Sequence, residues 1–268
     1  MDVTFRDVSY TYPSGVEAVK GVYLSVPTGQ RLAIVGQNGA GKTTLVRHLN
    51  GIFQPTVGTV EIGDWTTSGH SIAELSARVG YVFQNPDEQL FARKVIDDVA
   101  FGPKNLGFDA ARAAALVAAA LEQTGLTAEA ETHPHHLSLS ERKRVALAAV
   151  LAMDTPILVL DEPTTGQDER GVRMIAGIVA SLQAQGRTVI AITHDMDFCG
   201  ENFDRVVVMA HGEVLADGTP SDVFAQGQIL EEARVEAPQL GRLAEALHWA
   251  QRPLTVDSFV AQLQRERP

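Results

Sequence analysis

Residues 36–43 read Gly-Gln-Asn-Gly-Ala-Gly-Lys-Thr and fit the pattern GxxxxGK[ST] at every fixed position. The apolar run at 31–35 predicts a buried strand before this loop, and a helix is expected after it, over about 42–50. Backbone N–H groups of such a loop can surround a phosphate, and the helix N-terminus adds partial positive charge. A chance glycine-rich turn is the alternative, which the flanking strand and helix disfavour.

This loop predicts a binding site for a nucleoside triphosphate. Lys42 would supply a full charge to the β- and γ-phosphates, and the Thr43 hydroxyl would be a ligand of Mg²⁺. The residues expected to contact ATP are Gly36, Gln37, Asn38, Gly39, Ala40, Gly41, Lys42, Thr43 and Thr44.

A second motif lies 119 residues after Lys42, where the apolar run 157–160 is followed by Asp161 and Glu162. Ligands of parallel α/β proteins bind at the carboxyl ends of the strands, where these two carboxylates would emerge. Asp161 is predicted to hold Mg²⁺ through water, and Glu162 to polarise the attacking water as general base. Many strands end at acidic caps, so this motif gains its weight from the loop at 36–43.

Two further polar residues follow predicted strands. Gln84 comes after the strand at 79–83, where its side chain can reach the metal and the attacking water. His194 ends the strand at 188–193, where its imidazole can contact the γ-phosphate. Each taken singly would be read as an ordinary polar residue at a strand end; their order along the chain favours a catalytic role.

The composition limits the class of protein. The 268 residues carry a formal net charge of −11, which argues against a nucleic-acid-binding surface. Cys199 is the only cysteine, so an intrachain disulfide is excluded and a reducing compartment is expected. The sequence shows neither a signal-peptide pattern nor an apolar run of about 18 residues. We therefore expect a chain that is soluble by itself and is held at a membrane, if at all, by other chains.

The remaining pattern predicts the element order. Residues 3–10 and 19–27 alternate as antiparallel strands, 95–152 is mainly helical, and a helix spans about 168–185 before a hairpin at 206–216. Alternating strands and helices predict a parallel sheet covered on both faces. Residues 221–268 are predicted to be helical and amphipathic, with breaks at Pro238 and Pro253.

The order of the motifs resembles that of ATP-binding-cassette (ABC) ATPases across roughly residues 3–220: Tyr12, residues 36–43, Gln84, residues 137–141, Asp161, Glu162, Asp168 and His194. The resemblance implies an α/β P-loop NTPase with a RecA-like core, an N-terminal antiparallel β-subdomain and a helical subdomain. By this resemblance Tyr12 stacks on adenine, Gln84 is the Q-loop glutamine, Asp168 lies at the dimer interface beside the nucleotide, and His194 is the switch histidine. The implied domains are an ATP-binding domain at 1–220, with the helical subdomain at about 85–152, and a helical extension at 221–268.

One segment departs from the family. Where the family has Leu-Ser-Gly-Gly-Gln, residues 137–141 read Leu-Ser-Leu-Ser-Glu. In the family this segment caps a helix that points at the γ-phosphate bound by the opposite subunit. Ser138 can still donate its hydroxyl to the partner's ATP, but Leu139 replaces a glycine whose backbone freedom it lacks, and Glu141 adds negative charge near a polyanion. We hypothesise a weakened signature and therefore a heterodimer with unequal sites; a homodimer with two tolerant sites stays open.

Residues 83–91 and 97–103, together with the tail at 238–257, resemble the ATPases of energy-coupling-factor (ECF) importers, which take up vitamins or cobalt and nickel ions. The resemblance implies a second ATPase subunit, a transmembrane coupling subunit seated in a groove around 84–104, and a substrate-binding membrane subunit. It places the chain on the cytoplasmic face of the cell membrane, with ATP and Mg²⁺ as cofactors. The tail would contribute to the dimer contact.

Other readings stay open. A soluble cassette ATPase acting on DNA or ribosomes would be expected to show basic surfaces, a long coiled coil or tandem cassettes, none of which is evident in the sequence. An ATPase subunit of another transporter class, or a nucleotide sensor with negligible turnover, fits the same motifs. His133, His135 and His136 suggest a metal site, but with Pro134 among them they are better read as a solvated loop. The transported substrate is not encoded in this chain.

Overall fold

The computed structural model describes residues 1–265, so the last three residues of the predicted tail, 266–268, lie outside the described part. The strands are β1 (Val3–Thr11), β2 (Glu17–Val26), β3 (Arg31–Val35), β4 (Val57–Ile62), β5 (Trp65–Thr66), β6 (Val79–Val82), β7 (Ile157–Asp161), β8 (Thr188–Ile192), β9 (Arg205–Ala210) and β10 (Glu213–Gly218). The helices are α1 (Lys42–Val46), α2 (Ile72–Leu75), α3 (Val95–Asn105), α4 (Ala110–Gln123), α5 (Leu139–Leu151), α6 (Glu169–Ala184), α7 (Met196–Asn202), α8 (Pro220–Phe224), α9 (Gly227–Glu232), α10 (Gln239–Ala246) and α11 (Val256–Arg265).

The central sheet has the strand order β10-β9-β3-β8-β7-β6. All neighbouring pairs from β9 to β6 are parallel, and β10 joins the edge by an antiparallel hairpin with β9. The predicted parallel core is therefore confirmed. Since the strands are parallel, the segments that follow β3, β8, β7 and β6 all leave the sheet at the same edge.

The two faces of this sheet carry different layers because side chains alternate along each strand. On one face Ile34, Val159 and Ile192 pack with Leu45 of α1 and with the buried side of a second sheet. On the other face the alternate side chains join the cores of α5, α6 and the helices around them. The P-loop helix and the larger helical layer thus lie on opposite sides of one sheet.

The second sheet has the order β2-β1-β4-β5 with antiparallel pairing throughout. This confirms antiparallel pairing of the first two predicted strands. Helices α3, α4 and α5 lie between β6 and β7 in the chain and form the predicted helical stretch.

The helix after the loop is shorter than predicted. We expected it over 42–50, but α1 ends at Val46. The next backbone N–H groups, of His48 and Leu49, donate to carbonyls three residues earlier rather than four, and Gly51 then takes a φ of +75°. The last turn therefore tightens into a bend that leads to β4.

The tail is helical as predicted, with α8 to α11 separated by short breaks. Pro238 is the residue immediately before α10, which accounts for one break, and Pro253 precedes α11. Within residues 1–265, no helix has both the length and the apolar character needed to cross a bilayer.

Candidate active site

The predicted site residues converge at the carboxyl edge of the central sheet. A cavity of about 140 Å³ opens there between the loop after β3, the end of β7 and Gln84, two residues after β6. Its lining residues are Asn38, Gly39, Ala40, Gly41, Lys42, Thr43, Thr44, Gln84, Asp161, Glu162 and Ile192. The structure therefore brings most of the predicted ATP and metal ligands to one place, whereas Ser138 and Asp168 lie at the start of α5 and α6, outside this cavity.

Two glycines of the loop are required by its close packing. Gly36 has a φ of +146°, and a Cβ there would overlap the carbonyl oxygen of Met209. Gly41 has a φ of +97°, and a Cβ there would overlap the carbonyl oxygen of Ala18. Any other residue would thus be strained at both positions and would also displace neighbouring backbone.

Lys42 is buried, with its ammonium group held inside the loop. Its Nζ donates hydrogen bonds to the carbonyl oxygens of Gly36 at 2.6 Å and Gln37 at 3.0 Å. Burial lowers the pKa of Lys42, and the carboxylates of Glu162 and Asp161 oppose that shift. These two carbonyl contacts hold the cation at the loop, where a phosphate chain would become a stronger acceptor.

Asp161 is buried at the end of β7 with both carboxylate oxygens engaged. Oδ1 accepts a long hydrogen bond of 3.4 Å from Thr43 Oγ1, and Oδ2 accepts one of 2.9 Å from the Tyr81 hydroxyl. Burial raises the pKa of Asp161, and the hydrogen bond from Tyr81 is the largest influence that opposes it. Tyr81 was not predicted as a site residue; the sequence placed it only inside a buried strand.

Glu162 has an unusual backbone for its type, with a φ of +54°. The Glu162 N–H donates to the Ile192 carbonyl at 2.9 Å, and the Glu162 carbonyl accepts a hydrogen bond of 3.2 Å from Lys143 Nζ. Side-chain Oε2 lies 2.6 Å from His194 Nδ1. Burial raises the pKa of Glu162, while His194 and Lys42 act in the opposite direction. This arrangement suits a general base, because a raised pKa makes the carboxylate a better proton acceptor.

Tyr12 lies beside the loop helix rather than in the lining of the cavity. Its hydroxyl is 2.9 Å from Thr44 Oγ1, and its ring meets the rings of Tyr10 and Phe53 edge-on at 5.0 and 5.5 Å. The aromatic neighbours fix the ring next to α1, which is compatible with the predicted stacking on adenine.

The altered segment forms a complete capping box at the start of α5. Ser138 donates from its hydroxyl to Glu141 Oε2 at 2.7 Å and from its backbone N–H at 2.8 Å, and Glu141 N donates back to Ser138 Oγ at 3.3 Å. The Ser138 hydrogen bonds lower the pKa of Glu141. Leu139 is the first helical residue and its side chain is 48% exposed. The pattern S-x-x-E is typical of such a cap, so Ser138 has a structural role here in addition to the predicted role as a donor to the partner's phosphate.

Asp168 caps α6 with its side chain alone, accepting a hydrogen bond of 2.7 Å from Gly171 N. The preceding Gln167 exchanges hydrogen bonds with Ser140, from Ser140 Oγ at 2.8 Å and to the Ser140 carbonyl at 3.2 Å. The starts of α5 and α6 are therefore tied together on one side of the molecule.

Comparison with known proteins agrees with this geometry. The family model described as ABC transporter matches residues 19–165. An energy-coupling factor transporter ATP-binding protein, EcfA, of Methanothermobacter thermautotrophicus is 42% identical over 250 residues, covering 92% of this chain and 80% of the relative. The solved structure of cbiO1 from Clostridium perfringens, part of the ABC transporter complex cbiONQ, is 34% identical with a TM-score of 0.76, covering 92% of this chain and 98% of that one.

A second solved structure, a dimeric ATP-binding cassette in a post-hydrolysis state with bound ADP and Pi, is 26% identical with a TM-score of 0.75. It covers 81% of this chain and 98% of its own length. Both the resemblance found in the sequence and the predicted fold class are thereby confirmed. The chain belongs to the ABC transporter family, as one of its nucleotide-binding, ATP-hydrolysing subunits.

Proposed function

We propose that this chain is the energy-coupling ATPase of an ECF-type importer for a vitamin or a transition-metal ion. The observation that carries the ATPase activity is the convergence of Lys42, Asp161 and Glu162 on one cavity at the carboxyl edge of the sheet. Similarity to EcfA and to cbiO1 over about nine-tenths of the chain supports the importer class. The chain would act at the cytoplasmic face of the membrane as a peripheral subunit.

The residues present fit a magnesium ion. Asp161 offers a buried carboxylate oxygen next to the Thr43 hydroxyl, and Gln84 lines the same cavity. Oxygen donors of this kind are those that Mg²⁺ prefers. Thr43, Gln84 and Asp161 would hold the ion, which would neutralise charge on the phosphates when bound.

The other residues would divide the work of hydrolysis. Tyr12 would orient the adenine, Lys42 and the loop N–H groups would hold the phosphates, and Glu162 would take a proton from the attacking water. His194, in contact with the Glu162 carboxylate, would keep this base directed at the γ-phosphate. When ATP binds, Lys42 would exchange its two carbonyl partners for phosphate oxygens, so the loop carbonyls would lose these hydrogen bonds.

Closure of two subunits would bring the start of α5 of one chain to the nucleotide of the other, with Asp168 near the contact. In this chain the Ser138 hydroxyl is bound to a charged carboxylate, that of Glu141, where the intact signature has a neutral glutamine, and this supports a weakened signature. We therefore propose a pair with unequal sites, in which the partner ATPase supplies an intact signature. ATP would drive transport by binding the closed pair more tightly than the open one.

A cavity of about 660 Å³ would seat the transmembrane coupling subunit. It lies between α2, α3, α5 and the segment after β6, and the exposed rings of Phe91 and Phe101 stand in its lining. Exposed aromatic side chains in a concave surface are typical of protein contacts. We also propose the predicted domain division. Residues 1–220 would form the ATP-binding domain, its helical subdomain at about 85–152 would form the groove, and residues 221–268 would form the extension.

The extension would add to the dimer contact. Its last two helices and the residue that ends α10 expose apolar side chains, namely Leu243, Leu247, Val256, Val260 and Leu263. Removing residues 256–268 should then weaken the pairing of the ATPase subunits while leaving nucleotide binding to the monomer intact, because α11 has no buried residue. The cut spares α8 and α9, which join the core, and the Ala233 carbonyl, which accepts a hydrogen bond from the Gln37 N–H of the loop.

Purification of the tagged chain from its native cells in mild detergent tests the whole assignment. The proposal predicts a second ATPase with Leu-Ser-Gly-Gly-Gln, a coupling membrane subunit and a small substrate-binding membrane protein. Recovery with exporter-type transmembrane domains, or with a periplasmic-binding-protein importer, would assign the chain to another transporter class.

A further inference from the structure

The hydroxyl of Tyr81 lies on the metal side of the site and belongs to none of the family motifs. The charge of Arg47 also acts on Asp161, but the hydroxyl is the group that donates a hydrogen bond to its Oδ2. Tyr81 lies on β6 and is 6% exposed, and its ring rests against that of Phe83 at 4.8 Å. Its hydroxyl donates to Asp161 Oδ2 at 2.9 Å. The side chain is thus fixed at both ends, by the aromatic contact and by the carboxylate.

Strand register explains how the hydroxyl reaches Asp161. In the parallel pair β6–β7, Tyr81 stands opposite Val159, so the two side chains are on one face of the sheet. Asp161 is two residues further along β7 and returns to that face because side chains alternate. Two residues of strand span roughly 6.6 Å, about the reach of a tyrosine side chain.

This hydrogen bond fixes which carboxylate oxygen is turned toward Thr43. Oδ2 is occupied by Tyr81, while Oδ1 lies 3.4 Å from Thr43 Oγ1, the other expected ligand of the ion. Without the hydroxyl, Asp161 would keep a buried carboxylate with one oxygen unpartnered and free to rotate. Groups that orient a metal ligand in this way typically change metal affinity about 10- to 100-fold.

We propose that Tyr81 is a positioning residue of the magnesium site, holding Asp161 so that Oδ1 faces the ion and the nucleotide. The inference rests on the proposed role of Asp161 as a metal ligand. It gives β6 a second role in the site: β3 supplies the loop, β7 supplies the carboxylates, and β6 supplies the hydroxyl that orients one of them as well as leading to Gln84.

The test is Mn²⁺ binding measured by electron paramagnetic resonance, with a non-hydrolysable ATP analogue held below the protein concentration. Tyr81→Phe keeps the ring and removes only the hydroxyl, and it should weaken Mn²⁺ binding about tenfold. Affinity for the analogue in EDTA should stay within about twofold, because the change acts through the metal ligand. Tyr23→Phe, which removes a hydroxyl from a side chain that is 68% exposed, should match the wild type in both measurements.

A double-mutant cycle with Asp161→Asn separates positioning from packing. If Tyr81 acts through Asp161, adding Tyr81→Phe to Asp161→Asn should change Mn²⁺ affinity by less than about twofold. Should Tyr81→Phe alone fail to fold, the neutral amide of Asp161→Asn should restore folding of the double variant, since the orphaned buried charge is gone. A double variant that stays unfolded, or additive losses of affinity, would show that the tyrosine serves packing alone.

Failure of this inference and failure of the proposed function give different results. A wild-type chain that binds the analogue equally well with Mn²⁺ and with EDTA has no metal site of the proposed kind. A wild-type chain that needs Mn²⁺, together with an unchanged Tyr81→Phe variant, would overturn only the role given to Tyr81.

Discussion

The loop after β3 and the start of α5 are both helix N-termini of the kind that bind phosphate, but they differ in what already occupies their polar groups. In the loop, Lys42 is held only by two carbonyl oxygens, which a phosphate can replace. At α5, the Ser138 hydroxyl and N–H are both bound to the carboxylate of Glu141. A helix N-terminus is therefore available to a ligand only when the chain has not filled it with its own side chain.

The two regions also differ in the pKa of a glutamate, Glu162 at the end of β7 and Glu141 at the start of α5. Burial raises the pKa of Glu162, which prepares it to accept a proton. The hydrogen bonds of Ser138 lower the pKa of Glu141, which keeps a negative charge at the place where a partner's phosphate would approach. One region is thus set up for chemistry and the other for helix capping.

The largest expected effect comes from removing the base. Glu162→Gln should lower the rate of ATP hydrolysis by about 10²- to 10⁴-fold, because an amide cannot take the proton from water. ATP binding should stay within a few-fold, since Lys42 and the loop are untouched. Phosphate release and equilibrium nucleotide binding measure the two quantities. If Glu162→Gln kept a tenth of the wild-type rate, another group would be the base.

The pH dependence should follow Glu162 and not Glu141. Because the pKa of Glu162 is raised above its ordinary 4.5, the base becomes protonated, and hydrolysis declines, at a pH above that value as the solution is acidified. The measurement is kcat/KM against pH at saturating Mg²⁺. Glu141→Gln should leave the midpoint of this acid limb unchanged. A midpoint at or below 4.5 would mean that the limb does not report Glu162.

A smaller effect should separate capping from catalysis at Ser138. Ser138→Ala should lower the free energy of unfolding at neutral pH by about 1 kcal/mol, the usual cost of losing an N-cap. Its effect on hydrolysis should stay below about threefold, because the hydroxyl is engaged by Glu141. Urea unfolding and phosphate release are the measurements.

Ser71→Ala is the matched control, because Ser71 and Glu74 form the same capping box at α2, far along the chain from the signature segment. Both variants should lose a similar free energy of unfolding. A tenfold loss of hydrolysis in Ser138→Ala alone would show that this hydroxyl still serves the nucleotide.

The contribution of Glu141 to stability should depend on pH. Since the pKa of Glu141 is lowered in the folded chain, this contribution is fully present above the ordinary pKa of 4.5 and is lost as the pH falls through the lowered pKa.

The motifs on single segments were predictable, and the contacts between segments were not. The loop at 36–43 and the pair Asp161-Glu162 each lie within one short segment, so their residue patterns identify them. The alternation of strands and helices likewise predicts the parallel sheet. Tyr81 acquires its role only from the register of β6 against β7, which no local pattern encodes. The early end of α1 depends on its tightened last turn and on Gly51.

Lys143 shows the same limit. Its contact with the Glu162 carbonyl joins α5 to the end of β7, two elements that periodicity identified separately. The Ser138–Glu141 capping box, by contrast, can be predicted from the sequence, because a serine followed three residues later by a glutamate is the pattern of such a box.

The central claim is that the altered segment is a weak signature because Glu141 keeps a negative charge at the start of α5 and Leu139 lacks the backbone freedom of glycine. Restoring the family pattern with Leu139→Gly, Ser140→Gly and Glu141→Gln in the purified chain tests this most directly, with the Glu162→Gln variant as the background rate. The account predicts at least a tenfold rise in ATP hydrolysis by the dimer of this chain, the size expected when a hydrogen bond to a charged phosphate is regained. An unchanged or lower rate, in a triple variant that still binds ATP, would contradict it.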